Sequence, residues 1–392
     1  MKLAPIHPFP ARMAPELARD ALEVVPEGGS VLDPMCGSGT VPRAGVEAGF
    51  ECVGVDMDPL AVTMSQVWTS PLEADGITAD AQVLVRRARS LLPGAIRRPV
   101  DPETQQFIGY WFGDKQEEEL ARLTTVMRRC KLPTKQALMV ALSRIIVSKE
   151  MMASLARDTS HSRPHKVAEK NDFDVYAGFQ RSAGLVAKRL RPERIVGKAA
   201  IGLGDARTLH GIGNDEFDLV LTSPPYLNAI DYIRGHRLSL VWMGHVMASL
   251  RKTRASCVGA ERIMSEAANS FDISPFVTEA GGSSIGSRHL GWIRRYASDM
   301  EAVLQQVHRT VKPTGYVVLV LGNSFMRGTR VNNAGLIEAL ATKRGFRVED
   351  RKTREIPARR RYLPPPGDGT NALDTRMRIE TVLTLRPGVN DG

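Results

Sequence analysis

Cysteine is scarce in this chain, with four among 392 residues at positions 36, 52, 130 and 257. Neither paired spacing nor a zinc pattern connects them, so a disulfide scaffold is excluded and a reducing cytoplasm is the expected setting. His161 and His165 lie near no cysteine pair, and no metal is expected. No apolar stretch is long enough to cross a bilayer and no signal-peptide pattern opens the sequence, so no membrane role is expected. Internal repeats and extended low-complexity tracts are missing as well. What is present is 43% hydrophobic residues, enough for one large core with an added helical subdomain. The formal net charge of +10 fits a polyanionic partner. Many basic proteins never touch nucleic acid, so the charge supports that reading without deciding it.

The most telling stretch is Phe217-Asp218-Leu219-Val220-Leu221-Thr222-Ser223-Pro224-Pro225-Tyr226, where an apolar strand ends in a polar residue, two prolines and an aromatic ring. Proline fixes φ, lacks an N–H and keeps the preceding residue extended, so the Ser223 and Pro224 carbonyls can be held pointing away from a sheet. With the Ser223 hydroxyl they would converge as acceptors on one point, while the face of Tyr226 stacks on a planar ring. The pattern describes a pocket for an exocyclic amine.

Upstream, Ser30-Val31-Leu32-Asp33 leads into Pro34-Met35-Cys36-Gly37-Ser38-Gly39-Thr40 and a helical pattern over 41–48. Gly37 and Gly39 allow the backbone to approach a ligand closely, and the helix N-terminus behind them offers free N–H groups to a carboxylate or other anion. The strand over 51–55 ends at Asp56, the position where nucleotide-binding α/β folds hold ribose hydroxyls. Gly204-Asp205-Ala206-Arg207 makes a third turn of this kind. Singly, each has a plainer reading: a tight turn for the glycines, a small buried residue for Cys36, a helix cap for Asp56, a turn residue for Asp205. Their order is that of one site at the carboxyl edge of a parallel sheet.

In these residues the chain resembles the S-adenosylmethionine-dependent DNA amino-methyltransferases, which modify cytosine N4 or adenine N6. Asp33-Pro34-Met35-Cys36-Gly37-Ser38-Gly39-Thr40 is similar to the family's cofactor loop. Thr222-Ser223-Pro224-Pro225-Tyr226 is similar to its catalytic motif in the cytosine-N4 form; adenine-N6 enzymes more often begin that motif with Asp or Asn. His7-Pro8-Phe9-Pro10-Ala11-Arg12 resembles the segment that packs beside the methionine part of the cofactor. The resemblance covers roughly 5–70 and 200–385. It implies an α/β, Rossmann-like class I methyltransferase with a seven-stranded, mostly parallel sheet and S-adenosyl-L-methionine as cofactor. It also implies Pro10, Asp33, Pro34, Cys36, Gly37, Ser38, Gly39, Thr40, Asp56, Asp205 and Ala206 around that cofactor, with Ser223, Pro224, Pro225 and Tyr226 at the reacting amine.

Apolar periodicity predicts helices over 14–25 and 60–68, and strands over 30–33, 51–55, 200–203, 217–222, 315–322, 346–349 and 379–385. Between 71 and 197 helical patterns dominate, including 115–129, 134–155 and 173–190. The chain therefore divides into 1–70 with the cofactor loop, a helical insert over 71–197, and 198–392 with the catalytic motif. Within the insert lies the basic, hydroxyl-rich run Arg157-Asp158-Thr159-Ser160-His161-Ser162-Arg163-Pro164-His165-Lys166. Arg157, Ser160, Ser162, Arg163 and Lys166 are expected on phosphates or base edges, against the plainer reading of a solvated connector. Many members of the family carry a target-recognition region after the last motif, whereas this chain ends soon after its final strand. Target reading is thus expected from the insert. After Tyr226 an apolar helical run extends to about 250, with Asp231 read as a cap. The stretch 251–290 reads as a loop, and Arg359, Arg360 and Arg361 beside a proline-stiffened turn are expected to meet phosphate next to a flipped base.

The amine lone pair of a base is delocalised into its ring, so acceptors that draw the amine hydrogens would localise that pair for attack on a methyl group held in line. No strong base is needed. Since the amine is buried in duplex, the partner expected is double-stranded DNA with the target base flipped out, alongside a cognate restriction endonuclease acting separately. Cytosine N4 is the expected acceptor, adenine N6 the nearest alternative and an RNA amine the next. A non-catalytic DNA-binding module is the alternative outside the enzymes. Methylation of a ring carbon needs a nucleophilic cysteine, and no Pro-Cys pair occurs.

Overall fold

The computed structural model describes residues 3–9, 12–131, 133–157, 164–227, 231–260, 271–279, 286–326, 329–356 and 379–388. The chain begins α1 (Pro15–Leu22), β1 (Ser30–Asp33), α2 (Thr40–Glu47), β2 (Glu51–Asp56) and α3 (Pro59–Trp68). The insert follows as α4 (Ala74–Arg89), α5 (Pro102–Trp111), α6 (Asp114–Arg129), α7 (Lys135–Arg144), the short pair β3 (Ala156–Arg157) and β4 (His165–Lys166), and α8 (Val175–Leu190). Then come β5 (Lys198–Leu203), β6 (Phe217–Thr222), α9 (Tyr232–Met243), α10 (Met247–Ser256), β7 (Val277–Glu279) and α11 (Ser287–Thr310). The last part is β8 (Val311–Gly322), β9 (Ser324–Met326), β10 (Thr329–Val331), α12 (Asn333–Lys343), β11 (Phe346–Glu355) and β12 (Ile379–Pro387).

Seven strands form the main sheet in the order β11-β12-β8-β6-β1-β2-β5. β5, β2, β1, β6 and β8 run parallel, and β12 lies antiparallel between β8 and β11. This is the Rossmann-like, mostly parallel sheet expected from the sequence. Both faces are covered, as parallel strands require. Side-chain alternation along β8 sends Val318 and Val320 to one face and Val317, Leu319 and Leu321 to the other. The second face is closed by α11 and α12 through residues such as Met300, Leu304, Leu336 and Ile337. On the first face Trp68, Ile77, Leu84, Leu120, Leu138 and Phe179 join Leu219 and Val320 in one buried cluster. The insert helices therefore share a core with the sheet.

Several elements differ from the sequence expectation, each for a physical reason. The helix expected over 134–155 stops at Arg144, where the β-branched run Ile145-Ile146-Val147 begins. Beyond it the N–H groups of Ala153 and Ser154 donate back to the carbonyls of Ile145 and Ile146. The run expected to continue to about 250 is two helices, broken at Gly244, whose φ of 104° closes α9 in the left-handed manner. Part of 251–290, expected as loop, is regular: α10 extends to Ser256, and β7 pairs with β10, which pairs with β9. β11 runs well past Glu349 because its charged sequence hides a strand whose backbone pairs with β12. Charged edge strands discourage pairing with other chains.

Candidate active site

A cavity of about 930 Å³ opens at the carboxyl ends of β1, β2, β5 and β6. Strand order reverses there, with β2 and β5 on one side of β1 and β6 on the other, which is where open α/β sheets hold their ligands. Asp33, Pro34, Cys36, Gly37, Ser38, Thr40, Asp56, Asp205 and Ala206 line it, as do Ser223, Pro225 and Tyr226. Gly39 and Pro224 do not line it and shape the turns behind it. Gly37 and Gly39 have φ of +50° and +89°. A Cβ on Gly39 would fall 2.5 Å from Ser65 Oγ and 2.9 Å from Ser65 Cα, so the loop passes against α3 only because position 39 has no side chain. The loop is tied down by Cys36 N–H donating to the Val55 carbonyl (2.9 Å) and Gly37 N–H donating to Asp56 Oδ2 (2.8 Å). Ser38 Oγ is buried there without a hydrogen-bond partner. An orphaned hydroxyl beside the N-terminus of α2 suits a ligand carboxylate, and the neighbouring acids suit a ligand carrying positive charge and hydroxyls.

Those acids are strongly perturbed. Burial pushes the Asp33 carboxyl up to about 7, against the nearby Thr222 hydroxyl and the hydrogen bond from the Met35 N–H, with the negative charge of Asp56 adding to the rise. Burial and the charge of Asp58 likewise push Asp56 up to about 6, partly offset by the N–H groups of Asp58 and Gly37. A carboxyl raised above its ordinary value of 3.8 holds its proton more tightly in the folded chain than in the unfolded one. The ligand-free protein should therefore lose stability as pH climbs from about 4 through 7. A cationic ligand prefers ionised neighbours, so its affinity should rise over about pH 5.5–7.5 with release of protons. Calorimetry in buffers of different ionisation enthalpy measures that release, and Asp33→Asn should remove most of it. A pH-independent affinity in the wild-type chain would show that neither carboxyl meets the ligand's charge.

At the end of β6, the Ser223 hydroxyl donates to the Val320 carbonyl at 3.0 Å. With its proton committed there, Ser223 Oγ presents lone pairs and acts as an acceptor. The Tyr226 hydroxyl sits 3.5 Å from it, and burial pushes that phenol above its ordinary range. Asp231 caps α9 through the Arg234 N–H (3.1 Å), as expected.

Other parts of the wall depend on contacts between distant segments. Phe9 stacks on Tyr232 (5.0 Å, 15° between planes) and lies over Gly37, while Arg12 and Met13 also line the cavity. Asp58 caps α3 through the Leu60 N–H and pairs with the buried His236 of α9. The side chain of Asp205 is taken by Arg207, which bonds both of its oxygens and also reaches Asp299 and the Ser256 carbonyl, each at 2.7 Å. Burial would raise the Asp205 carboxyl, but Arg207 outweighs it and holds the group below its ordinary value. Asp205 is thus a brace for the wall as well as part of it. Sequence spacing carried no signal of the Asp58–His236 or Arg207–Asp299 pairs. Cys36 and Cys257 line the cavity too, yet burial lifts the Cys257 thiol to about 12 and the Cys36 thiol well above its ordinary value.

Of the residues expected to meet DNA, Arg157 is exposed on β3, and Lys166 of β4 pairs with Glu169 (2.6 Å) and lies over the Tyr110 ring. Neither lines the cavity. Pro10, Ser160, Ser162, Arg163, Arg359, Arg360 and Arg361 fall outside the described residues.

Strand order, and a glycine loop at the point where that order reverses, make this a Rossmann-like α/β fold with its cavity where such folds hold a ligand. In particular the chain is similar to the type II methyltransferase M.MvaI of Kocuria varians, 23% identical over 437 residues that cover 98% of this chain and 91% of that protein. No family model matches. Among solved structures, a TehB-like SAM-dependent methyltransferase from Corynebacterium glutamicum ATCC 13032 is 10% identical with a TM-score of 0.32, covering 96% of this chain and 89% of that one. A SAM-dependent methyltransferase from Methanosarcina mazei is 10% identical with a TM-score of 0.36, covering 96% and 99%. Superpositions this loose carry no argument about substrate.

Proposed function

We propose that this protein transfers a methyl group from S-adenosylmethionine to the exocyclic amine of a base flipped out of double-stranded DNA, with cytosine N4 as the acceptor. One observation carries the reading: Ser223, Pro225 and Tyr226 line the same cavity as the 33–40 loop, Asp56 and Asp205. Similarity to a type II methyltransferase along nearly the whole chain supports DNA as the substrate. The bound cofactor supplies an electrophilic methyl group. Asp33, Asp56, Ser38 and the N-terminus of α2 hold and orient it. Ser223, through its Oγ and its carbonyl, accepts the amine hydrogens and concentrates electron density on nitrogen, with Pro224 fixing the turn behind it, while Tyr226 keeps the base in place by stacking. Methylation of a ring carbon is disfavoured, since both cavity cysteines hold their protons near neutrality. Ser223 directly before Pro224-Pro225-Tyr226, in place of Asp or Asn, favours cytosine N4 over adenine N6.

The insert completes this reading as the part that senses the target, with Arg157 exposed at the end of its short strand β3. Incubating the protein with duplex DNA and isotopically labelled cofactor, then digesting to nucleosides for mass spectrometry, tests the function. Label in N4-methylcytosine is the expected result. Label in N6-methyladenine would correct the base, and cofactor binding without label in any nucleoside would overturn the proposal.

A further inference from the structure

Most acids of the cavity come from strand ends, and all of its cations except Arg12 come from two helices. Ala248, Arg251, Lys252 and Ala255 of α10 all line it, a spacing of three, four and seven residues that puts them on one helical face. Arg254 and Arg234 of α9 line it as well. Two carboxylates offset this charge: Asp231 pairs with Arg254, and Glu103 of the insert pairs with Arg251. Among the described residues Lys252 and Arg234 have no ion-pair partner, and Lys252 is exposed. Arg237, close to Arg234 and Arg254, is itself destabilised as a cation by burial and then by those two charges. Such a surplus beside a cavity attracts a polyanion.

α10 is also held firmly. Met247 and Leu250 are buried beneath it, and at its start the Met247 N–H donates to Thr104 Oγ1 at 3.0 Å. At its end, Arg207 and Arg295 donate to the carbonyls of Ser256 (2.7 Å) and Ala255 (3.0 Å). Alanines at 248 and 255 leave room on either side of the two cations for a phosphate group and its sugar. We propose that α10 is a ledge for the DNA backbone next to the extruded nucleotide, with Lys252 and Arg251, joined by Arg234, on its phosphates. The ledge rests on the proposed function and adds a positioning surface that does not belong to the insert.

The test is the salt dependence of duplex binding by the full chain, with cofactor affinity measured in parallel. Removing one phosphate-binding cation should flatten the slope of log affinity against log salt by about 0.9, so a Lys252→Ala/Arg234→Ala double variant should lose about 1.8. Lys252→Arg should keep the wild-type slope, and cofactor affinity should be unchanged in all three proteins. A double variant with wild-type slope and affinity for duplex overturns the ledge and leaves the proposed function standing. A wild-type chain that binds S-adenosylmethionine but no duplex overturns both.

Discussion

Gly39→Val is expected to abolish cofactor binding and to lower the melting temperature clearly. The new Cβ would stand 2.5 Å from Ser65 Oγ and 2.9 Å from Ser65 Cα, and a backbone atom of a buried helix cannot step aside. Position 39 also has a φ of +89°, where a β-branched residue is strained by about 1–2 kcal/mol. Overpacking adds about 1–3 kcal/mol. The loop must then move away from α3, and the backbone donors that face the ligand move with it. Gly28→Ala separates the two effects, since Gly28 has a φ of +68° but nothing within 4 Å of the place its new methyl group would take. It should cost stability alone and leave cofactor affinity as it was. Differential scanning and titration calorimetry read both quantities, and a Gly39→Val protein with normal affinity would remove the loop from the binding site.

The other large effect belongs to the end of β6. Ser223→Ala should slow single-turnover methyl transfer by about 100- to 1,000-fold, the loss expected for one preorganised polar contact to the reacting group. Cofactor affinity should stay within about twofold, because the loop from β1 is untouched. Tyr226→Ala should weaken duplex binding by about 1–3 kcal/mol as stacking disappears. Tyr226→Phe should lose far less, since the hydroxyl makes only the long 3.5 Å contact with Ser223. Equal losses for the Phe and Ala variants would mean that the phenol, and not the ring face, is what the base needs. Wild-type transfer by Ser223→Ala would leave the work to the Ser223 backbone carbonyl.

What was legible in the sequence is what is encoded locally. β1 and β6 fall where their apolar runs end in Asp33 and Thr222, and the glycine turn and the two prolines mark the edges that meet at the cavity. Asp231 as a cap was readable for the same reason, since its partner is the N–H three residues on. β11 was only half visible, because an edge strand written in charged residues has no apolar alternation to show. The His236–Asp58 pair joins residues 178 apart and Arg207–Asp299 residues 92 apart. Neither separation leaves a trace in spacing. The cations of α10 were visible as composition within 251–290, but only the break at Gly244 and the turn of the helix aim Arg251 and Lys252 at the cavity.

The core shared by the insert and the sheet bears on how such a protein can change its target. A recognition unit with its own core can be exchanged whole between relatives, as a cassette. Here Ile77, Leu120 and Phe179 pack in the same buried cluster as Leu219 and Val320, while Thr104 holds the start of α10 and Glu103 holds Arg251 in its middle. Excising 71–197 would uncover α3 and α9, on which the insert helices rest, and release a cavity wall at the same stroke. On the proposed reading of the insert as the part that senses the target, new specificities would arise by substitutions on exposed loops rather than by cassette exchange, and a chimaera would have to import the underside of the insert along with its surface.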